Sequence, residues 1–109
     1  MRLVALVLCA ATLAACTEVE QAVDNTARRG AKGVVTETLA TRFPQVPKEL
    51  ITPFTDCIID NSSAVEIREY AKAAVVGVDD GTVETVRTVL GRPETAACLQ
   101  AKVLASATT

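Results

Sequence analysis

The feature that most constrains this chain is the apolar run at its start. Met1-Arg2 forms a short positive beginning, and residues 3–11 carry no charged, hydroxyl or amide side chain before Thr12 and Leu13. A run this short cannot cross a bilayer as a permanent helix, which needs about 20 apolar residues. It suits the hydrophobic segment of a secretory signal, about 7–15 residues long and followed by small residues, here Ala14 and Ala15. A buried core helix would interleave polar residues at helical spacing, and this stretch holds only Thr12. Residues 1–15 are therefore expected to be a signal peptide that is cut away. The remainder of the chain is long enough for one modest core and no more.

The residues Leu13-Ala14-Ala15-Cys16 resemble the lipobox of bacterial lipoproteins: an aliphatic residue, two small residues, then an obligatory cysteine. The resemblance covers only the N-terminal segment, but its position directly after an apolar run makes it specific. It implies a precursor whose Cys16 thiol receives a diacylglycerol, after which the chain is cut before Cys16 and the new amino group is often acylated too. Each buried acyl methylene is worth about 0.8 kcal/mol, so one chain holds a protein transiently and two or three hold it stably. The implied partner is a membrane, reached through lipid on Cys16, and the implied location is the cell envelope. Thr17 follows Cys16 where Gram-negative lipoproteins retained at the inner membrane commonly carry aspartate. That points to the outer membrane facing the periplasm.

Of the four cysteines, Cys9 leaves with the signal and Cys16 is consumed by lipid. Cys57 and Cys98 remain, one pair in an oxidising compartment, and are predicted to form a disulfide. The loop it would close is about forty residues, for which chain entropy gives roughly 4 kcal/mol. The alternative is two unconnected buried thiols. No metal site is expected: histidine is absent, and two thiolates alone do not complete a tetrahedral zinc shell. No cofactor motif is present either.

The mature chain reads as all-α, a small bundle of four to five helices stapled by that disulfide. From Thr17 to Phe43, Val19, Ala22, Val23, Ala27, Ala31, Val34, Val35, Thr38 and Leu39 recur at three- and four-residue intervals. Asp24 and Arg28 stand four apart with the acid first, the favourable order. Gly30 and Gly33 each cost about 1 kcal/mol relative to alanine, so residues 16–33 are read as a lipidated N-terminus and amphipathic tether. The helical domain is placed at residues 34–105, with 106–109 as a frayed end. This opening segment faintly resembles entericidin-type small lipoproteins, which also follow the lipid cysteine with a Gly/Ala-rich amphipathic stretch. The likeness is compositional, and those proteins lack the extension with a cysteine pair.

Pro44 and Pro47 should end the first helix. Thr52 is expected to cap a short helix over 53–60, with Pro53 at its first position. Ser63 and Glu66 form a capping-box pattern that opens a helix through about Val76, with Ala64, Ile67, Ala71, Ala74 and Val75 inward and Gly77 as C-cap. Residues 78–81 read as a turn, after which Thr82 caps a helix carrying Val83, Val86, Val89 and Leu90. Arg92-Pro93-Glu94 starts a last helix containing Cys98, Leu99, Lys102 and Val103.

Catalytic constellations are weak. Without histidine the commonest general base is missing, and Ser62 and Ser63 have no base to activate them. Asp79 and Asp80 lack the alternating ligands of a calcium loop. Gly30-Ala31-Lys32-Gly33 has no strand context for nucleic-acid binding, and the chain has no basic stripe and few aromatics. Asp56/Asp60 and Glu66/Glu69 are carboxylate pairs at helical spacing, of the kind that charged helix faces produce routinely. Tyr70, the one tyrosine, is expected at the core edge with its hydroxyl in water. The function expected is that of a noncatalytic envelope lipoprotein, not an enzyme, acting as an interaction or structural module with an envelope protein partner. The alternatives are a membrane-active entericidin-like lipoprotein and a small carboxylate-dependent hydrolase.

Overall fold

A computed structural model of the protein describes residues 25–107. They form an all-α body of five helices, with no strand among the described residues. The first helix, α1, covers 25–42 of the described chain. A 3-10 turn at Lys48–Leu50 leads into α2 (Ile51–Asp60), followed by α3 (Ala64–Val76), α4 (Asp80–Leu90) and α5 (Pro93–Ala107). None of these helices is long and apolar enough to cross a membrane.

Helix α1 buries the stripe its spacing foretells. Ala31, Val34, Val35, Thr38 and Leu39 are enclosed and Ala27 is partly so, whereas Val19, Ala22 and Val23 lie outside the described residues. Thr38 is tolerated inside because its hydroxyl donates to the Val34 carbonyl at 2.7 Å, which removes the cost of an unpaired polar group. The boundary expected between residues 33 and 34 falls within one continuous helix. Packing already begins at Ala27 and Ala31, because small side chains let α1 approach its neighbours: a Cβ added at Gly30 would stand 3.8 Å from the Ala74 Cβ. At the other end α5 runs to Ala107, so 106 and 107 are helical.

Helix α2 begins two residues earlier than expected and without the predicted cap. Leu50 is its N-cap residue, makes no side-chain hydrogen bond, and carries the chain directly from the 3-10 turn into the helix. Pro53 is the third residue of the helix, where the absent N–H has no intrahelical partner to lose. Thr55, Cys57, Ile58 and Ile59 are all buried. At about 100° per residue, they cover most of the helix circumference, so α2 is central and receives neighbours on several sides.

Helix α3 has the predicted bounds and capping box: the Glu66 N–H donates to Ser63 Oγ at 3.2 Å, and the Ser63 N–H donates to Glu66 Oε1 at 2.8 Å. Gly77, at φ 99°, takes the left-handed conformation that favours glycine. The inner face differs from expectation. Ile67, Tyr70 and Ala73 are buried, Ala71 is half-buried, and Ala64, Ala74 and Val75 are exposed. Tyr70, expected at the edge, is wholly enclosed. An alanine-rich helix has little hydrophobic contrast around its circumference, so its one large aromatic decides which side turns inward.

In α4, Asp79 rather than Thr82 is the cap. Asp79 Oδ1 accepts from the Thr82 N–H at 2.9 Å and from its hydroxyl at 3.1 Å, while the Asp79 N–H donates to Thr82 Oγ1 at 3.3 Å. Asp80 and Gly81 therefore belong to the helix and not to a turn. A Cβ at Gly81 would stand 3.1 Å from Asp79 Oδ1, so glycine leaves room for the capping carboxylate. Val83, Val86 and Val89 point inward at the spacing of three that distinguishes helix from strand. Pro93 opens α5 at its first position, as proline prefers. The core thus joins aliphatic residues of α1, α2 and α4 with Phe43, Ile67, Tyr70 and Ala73.

Candidate functional site

The two cysteines of the helical body meet. Cys57 on α2 and Cys98 on α5 form a disulfide, with S–S 2.08 Å and Cα–Cα 5.7 Å, so the alternative of two separate thiols does not hold. Helices α3 and α4 lie within the covalent loop, as the positions of the two cysteines require. Cys16 and Thr17 lie outside the described residues.

The carboxylate pairs do not converge on a reaction centre. Asp56 lies between two lysines, 3.3 Å from Lys32 on α1 and 3.9 Å from Lys102 on α5, while Asp60 is exposed. Glu66 is mostly buried and grips Arg92 through two parallel hydrogen bonds of 2.7 Å, and Glu69 is exposed. The Arg92 guanidinium also donates to the Asn61 carbonyl at 2.8 Å. One side chain thereby ties the end of α2, the first turn of α3 and the approach to α5. The Arg92 fork holds the Glu66 carboxyl below its ordinary range, with the Ser63 cap acting in the same direction. Arg92 is raised in turn by the same carboxylate. Planar bidentate pairing is the geometry in which arginine differs most from lysine. Sequence separation hid this pair: the residues stand 26 apart, and neither has a local signal for the other.

Beside this fork is Tyr70, whose enclosed hydroxyl has no hydrogen-bond partner of good geometry. Burial pushes its pKa up, and the nearby Ser62 hydroxyl works the other way, being itself engaged with the Ile58 carbonyl at 2.6 Å. Thr95 Oγ1 is a second enclosed hydroxyl without a partner. Ser63 is committed to its cap, and Asp79 to Thr82, whose backbone N–H is the main cause of the lowered Asp79 pKa. Among the described residues no group of three His, Cys, Asp or Glu side chains could hold a metal ion.

An open cleft of about 370 Å³ lies between the described start of α1 and the end of α2. Asn25, Arg28, Arg29, Lys32, Ile59 and Asp60 line it. Three basic side chains and one acid on an open surface make it suited to anion contact. Comparison with known proteins finds no match for the chain among family models, curated proteins or solved structures.

Proposed function

We propose that this chain is the precursor of a noncatalytic envelope lipoprotein, held at a membrane by lipid on Cys16, whose stapled helical body serves as a protein-interaction or structural module. The observation that carries this reading is the Cys57–Cys98 disulfide. Such bonds persist in oxidising compartments and are rare where thiols are kept reduced. It agrees with the export implied by the apolar start and the Leu13-Ala14-Ala15-Cys16 motif. The polar groups of the body also have structural occupations: Glu66 and Arg92 hold three elements together, and Ser63 and Asp79 cap helices.

The membrane-active alternative needs the apolar stripe of α1 free to lie on lipid, and Ala31, Val34, Val35 and Leu39 are enclosed within the body. The test is fractionation of cells producing the full chain beside a Cys16→Ala variant. The parent protein is expected in the membrane pellet and released only by detergent, and the variant uncleaved or unanchored. Equal release of both by salt or buffer would remove the anchor. Gentle crosslinking of the anchored protein should then trap one recurrent envelope protein; recovery of the lipoprotein alone would count against an interaction role.

A further inference from the structure

We propose that the end of the body formed by the first turns of α1 and the C-terminus of α3 docks on the membrane, with Arg28 and Arg29 meeting the phosphates of anionic lipid headgroups. The inference deepens the lipoprotein reading and rests on its anchor at Cys16. Asn25 is nine residues beyond Cys16, and a chain spans at most about 3.3–3.6 Å per residue. Asn25, the first described residue of α1, therefore cannot lie farther than about 30 Å from the acyl chains.

The charge at that end is suited to the contact. Lys32 is paired with Asp56 at 3.3 Å and Arg42 with Asp80 at 3.7 Å, whereas Arg28 and Arg29 form no ion pair with any described residue. They line the cleft with one acidic residue, Asp60. From Phe43 onward the chain carries six basic and nine acidic residues, and at the docking end Glu69 and Asp79 border a small concavity with Val76, so the cations the contact draws on are Arg28 and Arg29. Apolar surface lies at the same end. A Cβ added at Gly30 would stand 3.8 Å from the Ala74 Cβ, which sets the C-terminus of α3 beside this part of α1, and the two residues after Ala74, Val75 and Val76, are 87% and 70% exposed. Exposed valines at the same end as two arginines that have no ion pair among the described residues give the composition of an interfacial contact, apolar groups entering the headgroup layer and cations meeting phosphate.

An opposing term shapes how this surface works. Glu18, Glu20 and Asp24 equal in number the cations at 28, 29 and 32, so the segment exerts little net pull at long range. Docking is then a short-range event, made effective by the lipid that holds the surface within reach. A cationic side chain near an anionic surface contributes about 1 kcal/mol.

The chain contains no tryptophan, so Val75→Trp gives a single reporter at an open position. The lipidated Val75→Trp protein would be reconstituted into vesicles of phosphatidylcholine, alone or mixed with phosphatidylglycerol, and recovered by flotation. The expected result is blue-shifted emission, quenched by brominated acyl chains, in the anionic vesicles only. Adding Arg28→Gln and Arg29→Gln should lower the docked-to-free ratio about thirtyfold. A protein that floats but shows the same water-like emission in both vesicle types, with or without the arginines, overturns docking and leaves the anchor standing. A protein that does not float overturns both.

Discussion

Two sides of this small body are held by different physics. On the α2–α5 side, a disulfide joins Cys57 to Cys98 and aliphatic side chains wrap α2. On the α3–α4 side there is no covalent tie: Ile67, Tyr70 and Ala73 of α3 and Val83, Val86 and Val89 of α4 are buried, and polar geometry is added to them as two capping boxes and the Glu66–Arg92 fork. The first side, whose carboxylate pairing is the partly exposed Asp56 with Lys32 and Lys102, should be less sensitive to acid than to reduction. The second should respond in the opposite way. A small domain distributes its cohesion according to what each segment can supply, and an alanine-rich helix supplies little apolar area.

The largest effect should come from removing the staple. A Cys57→Ala/Cys98→Ala variant is expected to lose about 4 kcal/mol, measured by urea unfolding, with hydrogen exchange rising across α2 and α5. Loss below about 1 kcal/mol would mean that the covalent loop barely restrains the unfolded chain. Next is the aliphatic centre: Ile58→Ala should cost about 2–5 kcal/mol and leave the acid response unchanged.

The polar side is broken more gently. Glu66→Ala should cost about 2 kcal/mol through loss of the fork and half of a capping box, with exchange rising first in α3. Acid should reproduce part of this effect. The folded Glu66 pKa is depressed, so the unfolded state binds the extra proton; the contribution is present above the unfolded value of about 4.3 and is lost as pH falls through the folded value. Asp79 is depressed likewise and loosens α4 in the same direction. Amides in the first turns of α3 and α4 should therefore lose protection on acidification before those of α2. Simultaneous loss would erase the distinction between the two sides. The smallest effect is Tyr70→Phe, expected to be neutral or stabilising by up to about 1 kcal/mol, because it deletes an enclosed hydroxyl without a partner. A clear loss of stability would show that this hydroxyl is satisfied.

Legibility in the sequence divides along similar lines. The α1 stripe from Ala27 to Leu39, the Ser63–Glu66 box and the Cys57–Cys98 pair depend on local spacing or on chain arithmetic, and all three stand in the structure. Thr82 was legible as a capping residue but not as the reciprocal partner of Asp79, since either side chain can initiate a helix. The inner face of α3 was not legible because alanine lies on every side of it. The Glu66–Arg92 fork was hidden because it exists only once α3 and α5 are brought together. The basic cleft was not legible, because it forms only where α1 meets the end of α2, whose Ile59 and Asp60 complete its lining with Arg28 and Arg29.

The most direct test of the lipoprotein assignment is the intact mass of the protein extracted from membranes, taken before and after reduction, beside Cys16→Ala. The expected product is a polypeptide beginning at Cys16 and carrying acyl chains, with a gain of two hydrogens on reduction from the Cys57–Cys98 bond. A full-length, unacylated chain with free thiols would contradict it.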